Sequence, residues 1–325
     1  MRIAVTGSIA TDHLMVFPGK FTDQLVADQL DNVSLSFLVD RLDIRRGGVA
    51  ANISFGLGSL GLTPVLVGAV GADFDDYRSW LQRHGVDTKS VHVSDTKHTA
   101  RFMCTTDEAQ NQMASFYAGA MSEARDIELL PVAERLGGLD LVLVAPNDPE
   151  AMVRHTEECR QRGYPFAADP SQQLARMQGD EIKKLVDGAA YLFTNEYETA
   201  LLRKSTGWTH EDILSRVGTW VMTHGAEGVR IEGRDQETVN ISAVPVKSEA
   251  EPTGVGDAFR AGFLWGLSCR LSHERAAQVG CTLATIVLET VGTQEYTLDR
   301  AGFSDRVART YGEAAAAEIE PKLRV

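Results

Sequence analysis

The sequence predicts an α/β fold in which a central, mainly parallel sheet is flanked by helices and carries a small β-sheet lid. Strand and helix patterns alternate regularly from residue 139 onward, which is typical of a parallel sheet covered on both faces. Two groups of short extended segments, at about 12–46 and 91–118, predict the lid. At 325 residues, the chain can form one large domain with an appendage or two modest domains. We expect a single domain over residues 1–325.

The first elements of the main sheet are marked by glycines. An apolar strand at 2–9 ends in Gly7-Ser8, and a helix that opens at the double glycine Gly47-Gly48 continues to about residue 60. A strand at 65–70 and an amphipathic helix at 73–84 follow. The later alternation consists of strands at 139–145, 165–168, 191–194 and 220–223 and helices at 149–162, 180–186 and 196–205, and an alanine-rich helix at 308–319 is expected to pack on the outside.

The predicted lid combines several extended segments. Within the segment 33–44, Leu35, Phe37 and Val39 alternate with mostly polar residues, an imperfect period of two that predicts a strand. A small exposed sheet needs a cover, which the ligand or a second subunit could supply. Aromatic residues in the second patch could stack on a flat ligand or could form the hydrophobic seam of the small sheet. The other lid segments are 14–17, 91–94, 99–106 and 112–117, and the aromatic residues are Phe102, Phe116 and Tyr117.

Composition narrows the classes of function. The chain has 32 Lys and Arg against 45 Asp and Glu, and the net charge of -13 repels nucleic acid and anionic membranes. The N-terminus starts directly in a strand pattern and no apolar run reaches the length of a membrane span, so we expect a cytoplasmic protein. The four cysteines lack metal-ligand spacing, so we expect buried free thiols.

A glycine-rich turn runs directly into a helix at residues 251–262. The first N–H groups of a helix have no partner inside it, and glycines at 254 and 256 let a phosphate approach them. Asp257 would repel this anion unless it has a task, such as removing a proton from a hydroxyl that attacks phosphorus. The alternative is that Asp257 only occupies the first turn of its helix, where acids are favoured.

Two further motifs follow buried strands. Asn195 and Glu198 open a helix three residues apart, so both lie on one face and could orient Mg²⁺ and its waters beside a triphosphate. The same spacing satisfies the capping rule, so a purely structural pair is the alternative. The tight glycine turn at 223–228 could hold a nucleotide or could only connect a hairpin.

Together these motifs resemble the ribokinase-like carbohydrate and purine kinases, often called the PfkB family, over nearly the whole chain. Residues 47–52 (GGVAAN) look like the family's N-terminal signature, residues 252–257 (PTGVGD) like its C-terminal signature, and residues 195–198 (NEYE) match its N-x-x-E motif. Glu251 departs from the family, which usually has an Asp there that shapes a nearby monovalent-cation site, so dependence on K⁺ stays open. Residues 7–13, 35–40, 168–176 and 292–295 are most similar to the actinobacterial type of adenosine kinase.

The apolar alternation near Leu35 and Phe37 suggests a homodimer formed through the lid strands. The resemblance implies an enzyme that transfers the γ-phosphate of ATP to the 5′-hydroxyl of adenosine with Mg²⁺. Asp257 would be the general base, and amides around Gly254 and Gly256 would stabilise the transferred phosphoryl group. The implied binding residues are Ser8, Asp12, Gly48 and Asn52 for the ribose, Phe102 and Phe116 for the purine faces, Gln172 and Gln173 for the base pocket, Ser36 as a lid contact, Asn195, Thr223, Gly225 and Gly228 for ATP, and Asn195 and Glu198 for Mg²⁺ through water.

Three alternatives to adenosine phosphorylation stay open or are disfavoured by the residues. A family sugar kinase acting on ribose or fructose would grip its diol with the same Asp12 and Asn52. A nucleotide-binding regulator without turnover is a more distant alternative, and a carboxylate retained in the anion turn argues against it. A dinucleotide-dependent oxidoreductase is disfavoured because residues 7–12 lack the spaced glycines of a pyrophosphate turn.

Overall fold

The computed structural model describes residues 1–25, 34–234 and 236–324 and contains two sheets in that part of the chain. The larger sheet has nine strands. Seven adjacent strands run parallel to one another through six parallel pairings, and two further strands at one edge are added by two antiparallel pairings. The strands are β1 (Ile3–Thr6), β2 (Ala10–Val16), β3 (Arg41–Gly47), β4 (Val65–Val70), β5 (Asp87–Val93), β6 (Ala100–Thr106), β7 (Gln112–Tyr117), β8 (Leu141–Val144), β9 (Phe166–Ala168), β10 (Tyr191–Asn195), β11 (Thr219–Thr223), β12 (Val229–Gly233) and β13 (Gln236–Ile241). The order in the large sheet is β13-β12-β11-β10-β9-β8-β1-β4-β5.

Helices cover both faces of this sheet and enclose two hydrophobic cores. Ile3 and Val5 of β1 point into one core, whereas Ala4 between them points into the other. Burial on both faces explains why the central strands are apolar without alternation. The helices are α1 (Phe21–Gln24), α2 (Val49–Ser59), α3 (Asp75–Arg83), α4 (Leu130–Leu136), α5 (Pro149–Arg162), α6 (Gly179–Val186), α7 (Glu196–Thr206), α8 (His210–Arg216), α9 (Val255–Ser268), α10 (His273–Leu288), α11 (Arg300–Tyr311) and α12 (Glu313–Ile319).

The smaller sheet is the lid, with the strand order β3-β2-β6-β7. Strand β2 runs antiparallel to β3 and parallel to β6, and β7 is antiparallel to β6. The expected lid strand within residues 33–44 is wrong for most of its length, because residues 34–40 form no strand and pairing begins at Arg41; residue 33 lies outside the described part. Phe37 packs against Phe17 and Phe21, which accounts for the apolar alternation.

Two further elements differ from their sequence predictions. The extended segment near residue 91 belongs to β5, which pairs with β4 in the large sheet and not with the lid. The alanine-rich tail is two helices, α11 and α12, separated at Gly312 with φ of 92°. Ala315 and Ile319 of α12 are fully buried, so this helix completes a core and does not merely pack on the outside. No helix in the described ranges combines the length and apolar character needed to cross a membrane.

Candidate active site

The order of the strands reverses between β1 and β8, because the chain adds β4 and β5 on one side of β1 and returns to its other side with β8. In open α/β sheets, ligands bind beyond the carboxyl ends of the strands at such a switch point. Polar residues follow these ends, with Ser8 after β1, Asn147 after β8 and Asp169 after β9. This edge is therefore the expected ligand-binding edge of the sheet.

The glycine turn and the start of α9 form an anion-binding terminus. Gly254 precedes the helix with φ of 79°, and a Cβ there would lie 2.8 Å from Cγ2 of Thr293, so only glycine fits. The N–H of Ala258 makes the first regular helical bond, to the carbonyl of Gly254 at 2.9 Å. Within the described residues, the N–H groups of Gly256 and Asp257 have no hydrogen-bond acceptor, and Gly256 is exposed. These two amides can receive an anion.

Asp257 lies in the first turn of α9, and its Oδ2 accepts a hydrogen bond of 2.8 Å from Nδ2 of Asn52 on α2. Burial raises the pKa of Asp257 to about 6, while Asn52 and the guanidinium of Arg260 oppose that rise. The carboxyl group is therefore ionised for the most part at neutral pH. An ionised carboxylate beside an anion-binding terminus can accept a proton from a hydroxyl group.

Asn52 is itself held by residues to which the sequence assigned no role. Its Oδ1 accepts from Nε2 of Gln294 at 2.9 Å and lies 3.0 Å from Oγ1 of Thr293. Nε2 of Gln294 also donates to the hydroxyl of Tyr77, which donates to the carbonyl of Gly47. Thr293 and Gln294 lie in a stretch that is similar to the family in sequence. Nothing in the sequence, however, places them beside Asn52, which is more than 200 positions away.

A buried ion pair between Arg260 and Asp169 contacts the glycine turn at the start of α9. The guanidinium of Arg260, one turn after Asp257 on α9, lies 2.6 Å from both carboxylate oxygens of Asp169. Its Nη1 also donates to the carbonyl of Gly256 at 3.0 Å. Burial raises the pKa of Asp169 to about 7, and Arg260 counteracts that rise. The sequence signal for this pair was an arginine on the apolar face of a helix, which needs a buried partner.

One face of the lid turns towards this site. The pairing of the strands sets Arg45, Asp12, Phe102 and Phe116 in one row across β3, β2, β6 and β7, and residues directly paired across strands share a face. Arg45 at the end of this row forms a 2.7 Å ion pair with Glu251, just before the glycine turn. The row therefore faces the turn. Phe102 and Phe116 on it are 36% and 45% exposed.

The residues predicted to hold the ribose lie close to the start of α2. Burial, with a contribution from Glu251, raises the pKa of Asp12 to about 6, and Arg45 opposes this. Oγ of Ser8 accepts a 3.0 Å bond from the N–H of Val49, which leaves its hydroxyl proton for a ligand. Gly48 has φ of 91°, and a Cβ there would lie 2.6 Å from the carbonyl oxygen of Ser8, so this close approach requires glycine at position 48.

The predicted base-pocket and lid residues differ in how far they are exposed to solvent. Gln172 is exposed and its Oε1 accepts from the hydroxyl of Ser171 at 2.7 Å, so the side chain can reach a ligand. Gln173 is buried, and its Nε2 donates to the carbonyl of Asn147 at 2.7 Å. Its Oε1 is buried without a partner in the described part of the chain. Ser36 is exposed in the segment before β3, and the structure gives it no hydrogen bond to the described site residues.

The predicted donor-site residues lie at the ends of β10 and β11, where Asn195 is the register partner of Thr223. Asn195 and Glu198 form a capping box, because Oδ1 of Asn195 accepts from the N–H of Glu198 and the carboxylate of Glu198 accepts from the N–H of Asn195. Gly225 and Gly228 lie in the connection between the antiparallel strands β11 and β12. The structural alternative is thus present at both motifs.

The fit to Mg²⁺ depends on this capping box. Each of the two side chains has an oxygen engaged with the backbone, and no group of three or more acidic, His or Cys side chains with metal-site geometry occurs in the described ranges. The second carboxylate oxygen of the buried Glu198 is not committed to that bond. The donor set therefore fits a hydrated Mg²⁺ held through water and not a dedicated cage of protein ligands.

Comparison with known proteins gives a consistent result. The profile of the pfkB family carbohydrate kinases matches residues 10–300. A nucleoside kinase of Methanothermobacter thermautotrophicus is 30% identical over 270 residues, which cover 82% of this chain and 86% of that protein. The ligand-free structure of a Burkholderia thailandensis nucleoside kinase, 34% identical, superposes with a TM-score of 0.85 and covers 94% of this chain and 99% of that one. The complex of that kinase with inosine is 33% identical, covers 95% of this chain and 98% of that chain, and superposes with a TM-score of 0.81.

A lidded α/β sheet with a carboxylate beside an anion-binding helix terminus defines a phosphotransferase that acts on a hydroxyl group. The chain belongs to the pfkB family of carbohydrate kinases. This confirms the predicted ribokinase-like fold and the predicted class of enzyme. The similar proteins named above are nucleoside kinases, so the resemblance is confirmed for the family and not for the actinobacterial type of adenosine kinase.

Proposed function

We propose that this chain is a nucleoside kinase that transfers the γ-phosphate of ATP to the 5′-hydroxyl of a purine nucleoside, with adenosine as the preferred acceptor. The observation that carries the proposal is the exposed pair Phe102 and Phe116, in register with Asp12 on the lid face that turns towards the glycine turn. A flat base can stack on these rings, whereas a free sugar offers no such surface. The nucleoside kinases among the similar proteins support the same substrate class.

In this proposal, Asp257 accepts the proton of the 5′-hydroxyl as the oxygen bonds to the γ-phosphorus. A pKa near 6 keeps the carboxylate ionised at neutral pH and places its basicity close to the working range of a general base. The free amides of Gly256 and Asp257 stabilise the charge on the transferred phosphoryl group. Loss of one such donor typically costs about 2.7–4 kcal/mol of transition-state stabilisation.

The acceptor is oriented by groups on both sides of the cleft. Asp12 and the second Nδ2 proton of Asn52 can bind the ribose hydroxyls, and the free proton of Ser8 adds a donor nearby. Gln172, with an exposed amide, can donate to or accept from the edge of a purine. The same amide can meet the amino group of adenosine or the carbonyl of inosine. Adenosine is therefore proposed from the sequence resemblance, and a comparison of acceptors must test it.

Mg²⁺ bound through water near Glu198 and Asn195 would neutralise phosphate charge on the donor. Thr223, Gly225 and Gly228 would lie along the donor nucleotide, because they occupy the strand end and connection next to Asn195. The lid also supports the proposed homodimer. Its face opposite Asp12 exposes Leu42, Ile44 and Met113, at 52%, 60% and 42%, and a second subunit could cover them.

The proposal is tested by ADP release from Mg·ATP with adenosine, inosine, guanosine, cytidine, ribose or fructose as the acceptor and with no acceptor as the control. We expect kcat/KM for adenosine to exceed that for the free sugars by at least a hundredfold. Asp257→Asn should retain ATP binding and lose nearly all transfer. A higher kcat/KM for ribose or fructose would reject a nucleoside kinase in favour of a sugar kinase, and normal turnover by Asp257→Asn would reject the base.

A further inference from the structure

Four side chains from four separate elements form one chain of hydrogen bonds that ends on Asp257. Nε1 of Trp80 on α3 donates to Oε1 of Gln294 at 3.1 Å. Nε2 of Gln294, in the segment after α10, donates to Oδ1 of Asn52 at 2.9 Å. Nδ2 of Asn52 donates to Oδ2 of Asp257 at 2.8 Å. Gln294 is 1% exposed and Asn52 is 7% exposed, so water does not compete for these groups.

The donor-to-acceptor direction of these hydrogen bonds is fixed at the Trp80 end, because the indole can only donate. An indole nitrogen carries a proton and cannot accept, so the atom of Gln294 that meets Trp80 must be the amide oxygen. The amide nitrogen of Gln294 then faces Asn52, which must present its oxygen. The amide nitrogen of Asn52 is left facing Asp257. An asparagine or glutamine amide on its own can turn over, because its oxygen and nitrogen are similar in shape.

The indole is held in place by its surroundings. Its ring stacks on Phe55 at 5.9 Å between centroids, and the guanidinium of Arg46 lies 4.2 Å from the ring. The second Nε2 proton of Gln294 points to the hydroxyl of Tyr77, whose own proton goes to a backbone carbonyl. Both ends of Gln294 are therefore satisfied in one orientation only.

We propose that Gln294, aligned by Trp80, is a positioning residue that fixes the Asn52 amide with its nitrogen towards Asp257. The opposite orientation would place the Asn52 oxygen against a carboxylate, where two acceptors repel each other. The inference rests on the proposed role of Asp257 as the base. It also assigns the remaining Nδ2 proton of Asn52 to the acceptor, so the hydroxyl bound there must accept that hydrogen bond.

The hydrogen-bond chain from Trp80 through Gln294 and Asn52 to Asp257, called the relay below, can be tested through the pH dependence of activity, because the other groups around Asp257 are known. Arg260 on the same helix lowers the pKa of Asp257, and Glu198 from α7 raises it. Tyr77 from α3 and Tyr296 from the segment after α10 also face the carboxylate, and both are neutral because burial raises their pKa. Asp169 is paired with Arg260. Of these groups only Tyr77 contacts Gln294, and it stays neutral without that bond because burial raises its pKa. A moved titration of Asp257 in a Gln294 variant therefore reports on the donor from Asn52.

The test compares Gln294→Met, which keeps the volume and loses the amide, with Gln278→Met. Gln278 on α10 is also buried, at 4% exposure, and bonds Arg275 and Glu274 on its own helix. The pH profile of kcat/KM, kcat at saturating substrate and the melting temperature are measured for both, together with Asp257→Asn. We expect Gln294→Met to lower kcat by about tenfold and to move the acidic limb of its profile up by about one pH unit. Gln278→Met should keep the wild-type kcat and profile.

The relay would be overturned if Gln294→Met kept the wild-type kcat and an unmoved acidic limb while Asp257→Asn was inactive. The proposed role of Asp257 as the general base would then still stand. An active Asp257→Asn would overturn both. Should Gln294→Met fail to fold, Trp80→Phe serves instead, because it removes the donor-only group and leaves the amides of Gln294 and Asn52. That variant should lower kcat severalfold with the same upward movement of the limb, and an unchanged profile would again overturn the relay.

Discussion

Replacing Arg260 by Met is expected to separate the stability of the core from the chemistry of the anion turn. The variant leaves Asp169, whose side chain is 1% exposed, without its 2.6 Å partner. Removing one member of a buried ion pair costs about 3–5 kcal/mol, because the other charge stays buried and unpaired. Loss of Arg260 also raises the folded-state pKa of Asp169 further above its unfolded value. The wild-type pKa of Asp169 is already about 7, so the destabilisation relative to wild type should grow as the pH rises above 7, by up to about 1.36 kcal/mol per pH unit.

The double variant Arg260→Met/Asp169→Leu removes the pair as a unit. An apolar replacement of similar volume is often neutral or stabilising, so urea unfolding should return to near the wild-type free energy and lose most of the added pH dependence. Transfer should not return, because the carbonyl of Gly256 loses the donor that fixes the turn. A lost hydrogen bond to a charged group is worth about 1.5–3 kcal/mol, so we expect kcat about ten- to a hundredfold below wild type.

Two results would refute this reasoning. Wild-type kcat in the double variant, measured by ADP release at the same temperature, would show that the pair serves folding only. Unchanged stability of Arg260→Met at pH 8 would show that Asp169 is already neutral beside the arginine. Arg216→Met is a matched control, because that arginine pairs with Asp187 on the exposed surface at 3.3 Å and should change neither quantity by much.

Three other outcomes are expected. The pKa values of Asp257 and Asp12 are both raised to about 6, and both carboxylates act when ionised, so kcat/KM should fall about a hundredfold per pH unit well below pH 6. Asp12→Asn should reduce this fall to about tenfold per pH unit, and an unchanged fall would exclude Asp12 from the groups that must be ionised. Phe116→Leu should raise KM for adenosine about tenfold with little change in kcat or in KM for ATP, whereas unaltered KM would return the ring to lid packing. Because Arg45 already neutralises Glu251, activity should be equal in K⁺, Na⁺ and Tris buffers of one ionic strength, and Arg45→Met should lower the rate; strong activation of the wild type by K⁺ would contradict this.

The sequence predicted those parts of the fold that depend on local signals. The helix at Pro149–Arg162 begins at the Asp148 cap and ends at Gly163, as the proline and glycine indicate. The capping pair of Asn195 with Glu198 is present as its spacing predicts. The regular strands are apolar because both their faces are buried, so their positions were also visible in the sequence.

The remaining differences arise from contacts between distant segments. Alternation at residues 34–40 reflects the packing of Phe37 on two other rings and not strand pairing, and a pattern of period two does not distinguish these causes. Gly312 ends one helix within an alanine-rich stretch that favours helix throughout. The pairing of Arg260 with Asp169 joins residues 91 positions apart, so it depends on topology that propensity does not carry.

The hydrogen bond between Asn52 and Gln294 also has a consequence for synthesis of the protein. The two residues are 242 positions apart, and the core beside them is completed by Ile319 and Leu323 near the end of the chain. A growing polypeptide that already contains both kinase signatures still lacks the group that orients Asn52. Given the proposed role of Gln294, we expect a chain that stops before this residue to transfer phosphate more slowly than one in which Gln294, α11 and α12 have been made and folded.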